Sequence, residues 1–200
     1  MVMAEATNHY FKHLGVSDGL SQVCIPSIYQ DELGAVWLGT TEGLNRYNGK
    51  DVRVFQPSES NHGLTNNEIN ELCGDKNGRM YIRSGNDLIK LDIYTEQFTC
   101  LRQKGVYGLF CKKDTLWVSC ADGIYYYTGQ GTELTFFARV QKGFVGRALY
   151  VDRETVWVVT RKYLVAISRE DPLRQEILLT LDKGNCILGD SSGNIWVGAW

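Results

Sequence analysis

Apolar and polar residues alternate along short runs of this chain, and clusters of Gly, Asn, Asp and Ser separate the runs. A period of two marks a half-buried strand, whereas a surface helix repeats near ~3.6. The first runs predict strand A over 24–29, strand B over 35–40, strand C over 44–47 and strand D over 52–55. The connections Asp31-Glu32-Leu33-Gly34, Thr41-Glu42-Gly43 and Asn48-Gly49-Lys50 are rich in turn formers, and Asn48-Gly49 is a strong hairpin signal. In strand B the alternation sets Trp37 and Gly39 on one face, so a Trp of one sheet could cover the small residue of its neighbour. No stretch sustains helical periodicity. The best helix candidate, 66–71, reads better as a lead into a strand.

The same unit returns along the chain. Trp37 is followed by Tyr81, Trp117, Trp157 and Trp196, at spacings of 44, 36, 40 and 39 residues. An aliphatic residue sits seven positions after each of the first four anchors (Leu44, Leu88, Ile124, Leu164). A large apolar residue sits ten positions after each (Tyr47, Leu91, Tyr127, Ile167). Asp lies six and Gly three positions before three anchors: Asp31 and Gly34, Asp75 and Gly78, Asp190 and Gly193. Shorter turns, Lys112-Lys113-Asp114 and Asp152-Arg153-Glu154, displace those two columns in units three and four. A fixed period in strand-only units predicts an all-β chain folded as a β-propeller. Four complete four-stranded blades are expected at about 23–57, 67–103, 105–140 and 144–180, with an incomplete fifth at 184–200. The anchors are expected in blade-to-blade core. Residues 1–22 form a lead-in whose segment Tyr10-Phe11-Lys12-His13-Leu14 reads as a lone ring-closing strand. A fifth unit that stops after two strands leaves an open edge, which is expected of part of a larger propeller. Both ends are then expected to be the least stable parts, or to pair with a second copy by strand exchange.

Three prolines, 21 glycines and 12% aromatic residues suit a turn-dense β protein. A net charge of −2 with scattered basic residues argues against a nucleic-acid or anionic-lipid partner. No apolar run approaches the ~20 residues of a membrane-spanning helix. Met1-Val2-Met3-Ala4 is too short for the apolar region of a signal peptide. Six cysteines lack zinc-site spacing and read as small core hydrophobes. One or two disulfides stay open to them in an oxidising compartment. The three histidines, His9, His13 and His62, form no ligand set, and no nucleophile elbow, P-loop or zinc-protease motif occurs. No catalytic residue, metal or cofactor is therefore expected. The acid pairs Asp31-Glu32 and Glu170-Asp171 fall in turns, as solvated residues rather than a glycosidase dyad.

The stretch Asp31-x-x-Gly34-x-Val36-Trp37-Leu38-Gly39-Thr40-x-x-Gly43-Leu44-Asn45-Arg46-Tyr47-Asn48-Gly49 resembles the two-component regulator propeller repeat, and residues 189–198 match it again. Units two to four are looser: Tyr81 and Arg83 stand for Trp and Gly, and Val159 and Tyr163 for two glycines. The lead-in segments 11–14 and 18–21 resemble the start of such sensor regions. The resemblance implies the N-terminal periplasmic sensor region of a hybrid two-component sensor histidine kinase, of a kind typical of gut Bacteroidetes. It implies paired seven-bladed propellers ahead of a membrane helix, kinase, receiver and DNA-binding module. It also implies that an oligosaccharide is the signal and that kinase activity resides in other modules.

Strand interiors are taken by packing, so a ligand must be met by loops. The B–C loops differ most between units and carry Glu42, Asn86, Asp87, Asp122, Arg161, Lys162 and Tyr163. Arg83, at a position where the repeat has Gly, needs a reason as well. A pyranose has an apolar face and a rim of hydroxyls, which suits aromatic rings and planar hydrogen-bonding groups. Arg83, Asp87, Arg161 and Tyr163 are therefore the candidate ligand-binding residues. The expected partners are an oligosaccharide, the remaining sensor propellers and a second copy of the chain, with no nucleic acid and no membrane contact by this stretch. The alternative is a polysaccharide lyase or glycosidase, which would need funnel-facing His, Tyr, Arg and carboxylate clusters in register.

Overall fold

A computed structural model describes residues 12–57 and 63–200. Blade one is β1 (Ser27–Gln30), β2 (Val36–Thr40), β3 (Gly43–Tyr47) and β4 (Val52–Phe55). Blade two is β5 (Ile69–Gly74), β6 (Arg79–Ser84), β7 (Asp87–Asp92) and β8 (Gln97–Arg102). Blade three is β9 (Val106–Lys112), β10 (Thr115–Cys120), β11 (Gly123–Tyr127) and β12 (Thr135–Ala138). Blade four is β13 (Gly146–Val151), β14 (Thr155–Thr160), β15 (Tyr163–Ser168) and β16 (Gln175–Thr180). The fifth sheet holds β17 (Gly184–Gly189) and β18 (Ile195–Ala199). Each four-stranded sheet is an antiparallel meander, and the first strands of consecutive blades touch one another. Strand A is thus innermost in every blade, as in a propeller. Helical turns among the described residues are two 3-10 turns, Val16–Asp18 and Gln141–Gly143.

One expectation changes. Strand A of blade one begins at Ser27 rather than Cys24, because Pro26 has no N–H to place in a ladder. Of the segment 10–14 expected to close the ring, Tyr10 and Phe11 lie outside the described residues, as do His9 and His62, and Lys12–Leu14 pair with none of the described strands. The lead-in docks on blade one by side-chain bonds instead. The Ser21 amide donates to Asn45 Oδ1 at 2.9 Å, and Asn45 Nδ2 donates to Ser21 Oγ at 2.8 Å.

The core lies in three clusters, each at a seam between consecutive blades. Trp37 packs with Ile69, Leu72 and Met80 of blade two, Tyr81 with Val106, Leu109 and Leu116 of blade three, and Trp117 with Leu149, Val151 and Val156 of blade four. These three anchors therefore fill the gap to the following sheet. The pairing of Trp over Gly is not what happens: Gly39 faces Ile69, while Gly74 and Gly189 receive the rings of Tyr29 and Tyr150 from the preceding inner strand. Polar contacts also span the seams, among them one made by Glu71. Glu71 Oε2 accepts the Leu109 amide at 3.1 Å and the Arg83 Nε at 3.4 Å. Removal from water pushes the Glu71 carboxyl up to about 7, against the downward pull of Arg83 and the amide.

The recurring Asp has two jobs. Its Oδ1 holds the A–B turn by accepting amides of Leu33 and Ala35 at Asp31, of Glu154 and Thr155 at Asp152, and of Ser192 and Asn194 at Asp190. Its Oδ2 accepts the anchor indole N–H: Trp37 to Asp31 at 2.7 Å, Trp157 to Asp152 at 2.7 Å, Trp196 to Asp190 at 2.9 Å. The turn itself needs a left-handed residue, met by Gly34 and Gly193 at φ 85. Where Tyr81 replaces Trp, no indole is offered, and Asp75 takes the Arg79 guanidinium instead. Blade three has too short a turn for the Asp, and the Arg169 guanidinium lies 5.6 Å from the Trp117 ring centre.

Two outcomes follow. Asp31 is 4% exposed and Trp37 fully buried, so Asp31→Ala should leave two buried donors, the Ala35 amide and the Trp37 indole, unmatched and cost roughly 2–4 kcal/mol in urea unfolding. Asp190→Ala, at an exposed turn, should cost clearly less, and equal losses would contradict a role set by burial. The Glu71 carboxyl is raised, so its contribution is present below its unfolded value and lost as pH rises through about 7. Between about pH 4 and pH 7 the wild-type urea midpoint should fall more than that of Glu71→Gln; parallel profiles would refute the assignment.

Candidate ligand-binding site

B–C turns and D–A connections share one end of the barrel of blades. Backbone bonds lace them together there: Gly85 N to Glu68 O, Val106 N to Asn86 O, Ala121 N to Gly105 O, and Gly184 N to Arg161 O, at 2.7 to 3.0 Å. Buried hydroxyls close the turns. Thr40 Oγ1 donates to the Gly43 carbonyl, Thr160 Oγ1 to the Tyr163 carbonyl and Ser84 Oγ to the Asn66 carbonyl. This end is therefore a rigid frame from which side chains project.

A repeated irregularity aims some of them. In blades two to five the ladder between strands A and B slips by one residue at the start of strand A. The residues left without a partner are Asn70, Tyr107, Arg147 and Asn185. A bulge turns its extra side chain out of the sheet's alternation and recurs beside binding sites. Tyr107, Arg147 and Asn185 are exposed, while Asn70 is half-buried and donates to the Gly85 carbonyl at 3.2 Å. Bulges are a backbone event, so the alternation of side chains gave no sign of them. The one hint was Gly108 and Gly146 beside Tyr107 and Arg147, since Gly in a strand often marks a bulge.

Two of these residues meet a B–C loop in a cleft of about 390 Å³ between blades three and four, lined by Tyr107, Phe144, Val145, Arg147, Thr160, Arg161 and Lys162. That volume falls within the ~300–1,000 Å³ of small-molecule sites. Phe144 is held by Tyr163, ring centres 4.8 Å apart. A second cleft, of about 530 Å³, lies at the other end and includes Trp117, Tyr126, Phe137 and Arg169. There Arg169 is already committed, donating to the carbonyls of Asp152 and Arg153. In the first cleft Arg147, Arg161 and Lys162 have no side-chain partner among the described residues.

The four candidate residues separate into two places. Arg161 lines the first cleft, and Tyr163 acts on it through Phe144. Arg83 and Asp87 belong to blade two: Arg83 binds Glu71 and the Gly85 carbonyl, and Asp87 Oδ1 accepts the Lys104 amide at 2.6 Å. Among the other B–C residues, Asp122 is paired with Arg102 at 2.7 Å and with the Tyr125 hydroxyl at 2.8 Å. Burial raises the Asp122 carboxyl, yet these two partners outweigh it and hold the group below its usual range. No group of three or more His, Cys, Asp and Glu suited to a metal occurs among the described residues. No described helix is long and apolar enough to cross a membrane.

Residues 19–42 match the family described as two component regulator propeller. A curated protein, histidine kinase P4 of Formosa agariphila, is 38% identical over 53 residues, covering 26% of this chain and 4% of that protein. Among solved structures, the extracellular domain of a B. thetaiotaomicron protein described as the hybrid two component system BT3049 superposes with a TM-score of 0.81 at 23% identity, covering 94% of this chain and 29% of that one. The extracellular domain of BT4673 from the same organism, described as a one component system, gives 0.75 at 19% identity, covering 93% and 30%. The chain thus spans under a third of each of these structures. Residues 19–42 thus match a two component regulator propeller repeat, and the chain as a whole has the β-propeller fold of these structures.

Proposed function

We propose that this chain is part of the periplasmic sensor region of a hybrid two-component histidine kinase and recognises an oligosaccharide at the B–C end of blades three and four. The repeat match, the likeness to a histidine kinase and the fold shared with extracellular domains of two-component systems support the sensor role. The observation that carries the site is the column of bulged residues, two of which, Tyr107 and Arg147, join Arg161 and Phe144 in one cleft. Rings offer a sugar's apolar face a platform, and guanidinium groups offer planar donors to its hydroxyls. In this reading the stretch contributes recognition, and phosphoryl transfer belongs to kinase modules of the whole protein, whose further propellers complete the ring. Arg83 and Asp87 serve the frame, because their polar atoms are already matched.

Calorimetry on the intact protein with candidate oligosaccharides tests this reading. Arg161→Ala and Tyr107→Ala should each weaken binding by about tenfold, equivalent to about 1.4 kcal/mol. Arg83→Ala should leave affinity unchanged and lower the unfolding midpoint. Unchanged affinity in both cleft variants would remove the cleft from the site.

A further inference from the structure

The same end of blades three to five is strongly cationic. The D–A connections repeat a Lys-Gly step, Lys104-Gly105, Lys142-Gly143 and Lys183-Gly184, and all three lysines are exposed. Each lysine adopts left-handed backbone, at φ 65, 57 and 50. That conformation is uncommon for a residue with a side chain, so its return at one position in three successive blades is a built feature. Arg139 joins them, exposed on the connection into blade four. None of these side chains has an ion-pair partner among the described residues. The cleft they border holds Arg147, Arg161 and Lys162 and no carboxylate. Asp122, close by, is already neutralised by Arg102.

We infer that the ligand of this face is an acidic saccharide, carrying carboxylate or sulfate groups, with its charge met by Arg147, Arg161 and Lys162 and its ring on Tyr107 and Phe144. This rests on the sensor reading above and narrows it. Three cations line the cleft, and an anionic sugar gains from the two arginines charge-assisted and bidentate hydrogen bonds that a neutral one does not. The outlying lysines add attraction at longer range, which salt weakens.

The test is calorimetry on the intact protein with a panel of uronate and sulfated oligosaccharides, neutral oligosaccharides of equal length, the methyl ester of each uronate, and polyglutamate. The expected result is binding of an acidic member, loss of at least about tenfold on esterification, and a similar loss in the Arg147→Ala/Arg161→Ala double variant. Affinity should also fall several-fold between 50 mM and 300 mM salt, by the ~14 Å to ~6 Å shortening of screening. Equal binding of ester and acid, or a neutral member binding alone, would overturn the charge assignment and leave the saccharide sensor standing. Binding of polyglutamate without any saccharide would overturn both, as would no binding by the whole panel.

A separate observation concerns two thiols. Cys73 of β5 and Cys111 of β9 face each other across the seam of blades two and three, with their Sγ atoms 2.7 Å apart. Both pack against the cluster that holds Tyr81, Leu109 and Leu116. We infer that this pair is an oxidation site forming a disulfide between the inner strands of adjacent blades. The two thiols lose two protons and two electrons, and a disulfide oxidant such as oxidised glutathione takes up the electrons and is reduced to two thiols. Equilibration of the folded protein with oxidised glutathione, followed by digestion without reductant, should give the peptides bearing Cys73 and Cys111 as one species two mass units below their sum. The thermal midpoint should rise by roughly 5–15 °C over the reduced protein, and Cys73→Ser should abolish both effects. Recovery of the two peptides separately, with both thiols alkylated, would overturn the assignment.

Discussion

The structure depends on one constraint: a four-stranded sheet of this sequence cannot bury its own anchor. Trp37, Tyr81 and Trp117 find their cover only in the next blade, so each seam is a core and each blade is half of two cores. Seam packing explains why the inner strands carry Gly74 and Gly189, where a side chain would displace the tyrosine of the preceding blade. It also explains the double role of the Asp. Fixing the A–B turn and the indole with one carboxylate ties the hairpin to the side chain that must reach across, so local geometry and seam packing agree. Trp157 and Trp196 show the same bond with less cover, half-buried and 61% exposed, in sheets that have fewer neighbouring strands.

The two ends of the propeller then differ in kind. At the A–B end Asp31, Asp152 and Asp190 are held by turn amides and indoles, and Arg169 by carbonyls. At the B–C end the backbone is equally well bonded, while the side chains of Arg147, Arg161 and Lys162 have no partner among the described residues. A rigid frame with unmatched charge is how binding sites differ from surfaces that only solvate. The bulges place that difference on inner strands rather than on loops alone.

Much of this was legible in the sequence, and the reasons are specific. Alternation and the anchor column gave the blades, because seam burial recurs in every unit. Strand D of blade one, Val52–Phe55, falls where the alternation put it. Strand A started late because Pro26 cannot pair, a rule the hydrophobic pattern does not contain. The Asp column was read as turn chemistry alone, since its second oxygen acts on a residue six positions away that only folding brings near. Of the B–C candidates read from the sequence, Arg161 lines the cleft proposed as the site, while Arg83 binds Glu71. Tyr107 and Arg147 were missed because a one-residue slip in pairing leaves no mark in side-chain polarity.

In the proposed reading, recognition lies at the B–C end of blades three and four, on a frame laced by backbone hydrogen bonds. Hydrogen–deuterium exchange on the intact protein, with and without a bound acidic oligosaccharide, tests this directly. Protection should rise in residues 105–108, 144–147 and 160–163 and stay unchanged in the A–B turns around Asp31, Asp75 and Asp152. Protection confined to the A–B end, or absent from all five described sheets while the ligand is bound, would contradict it.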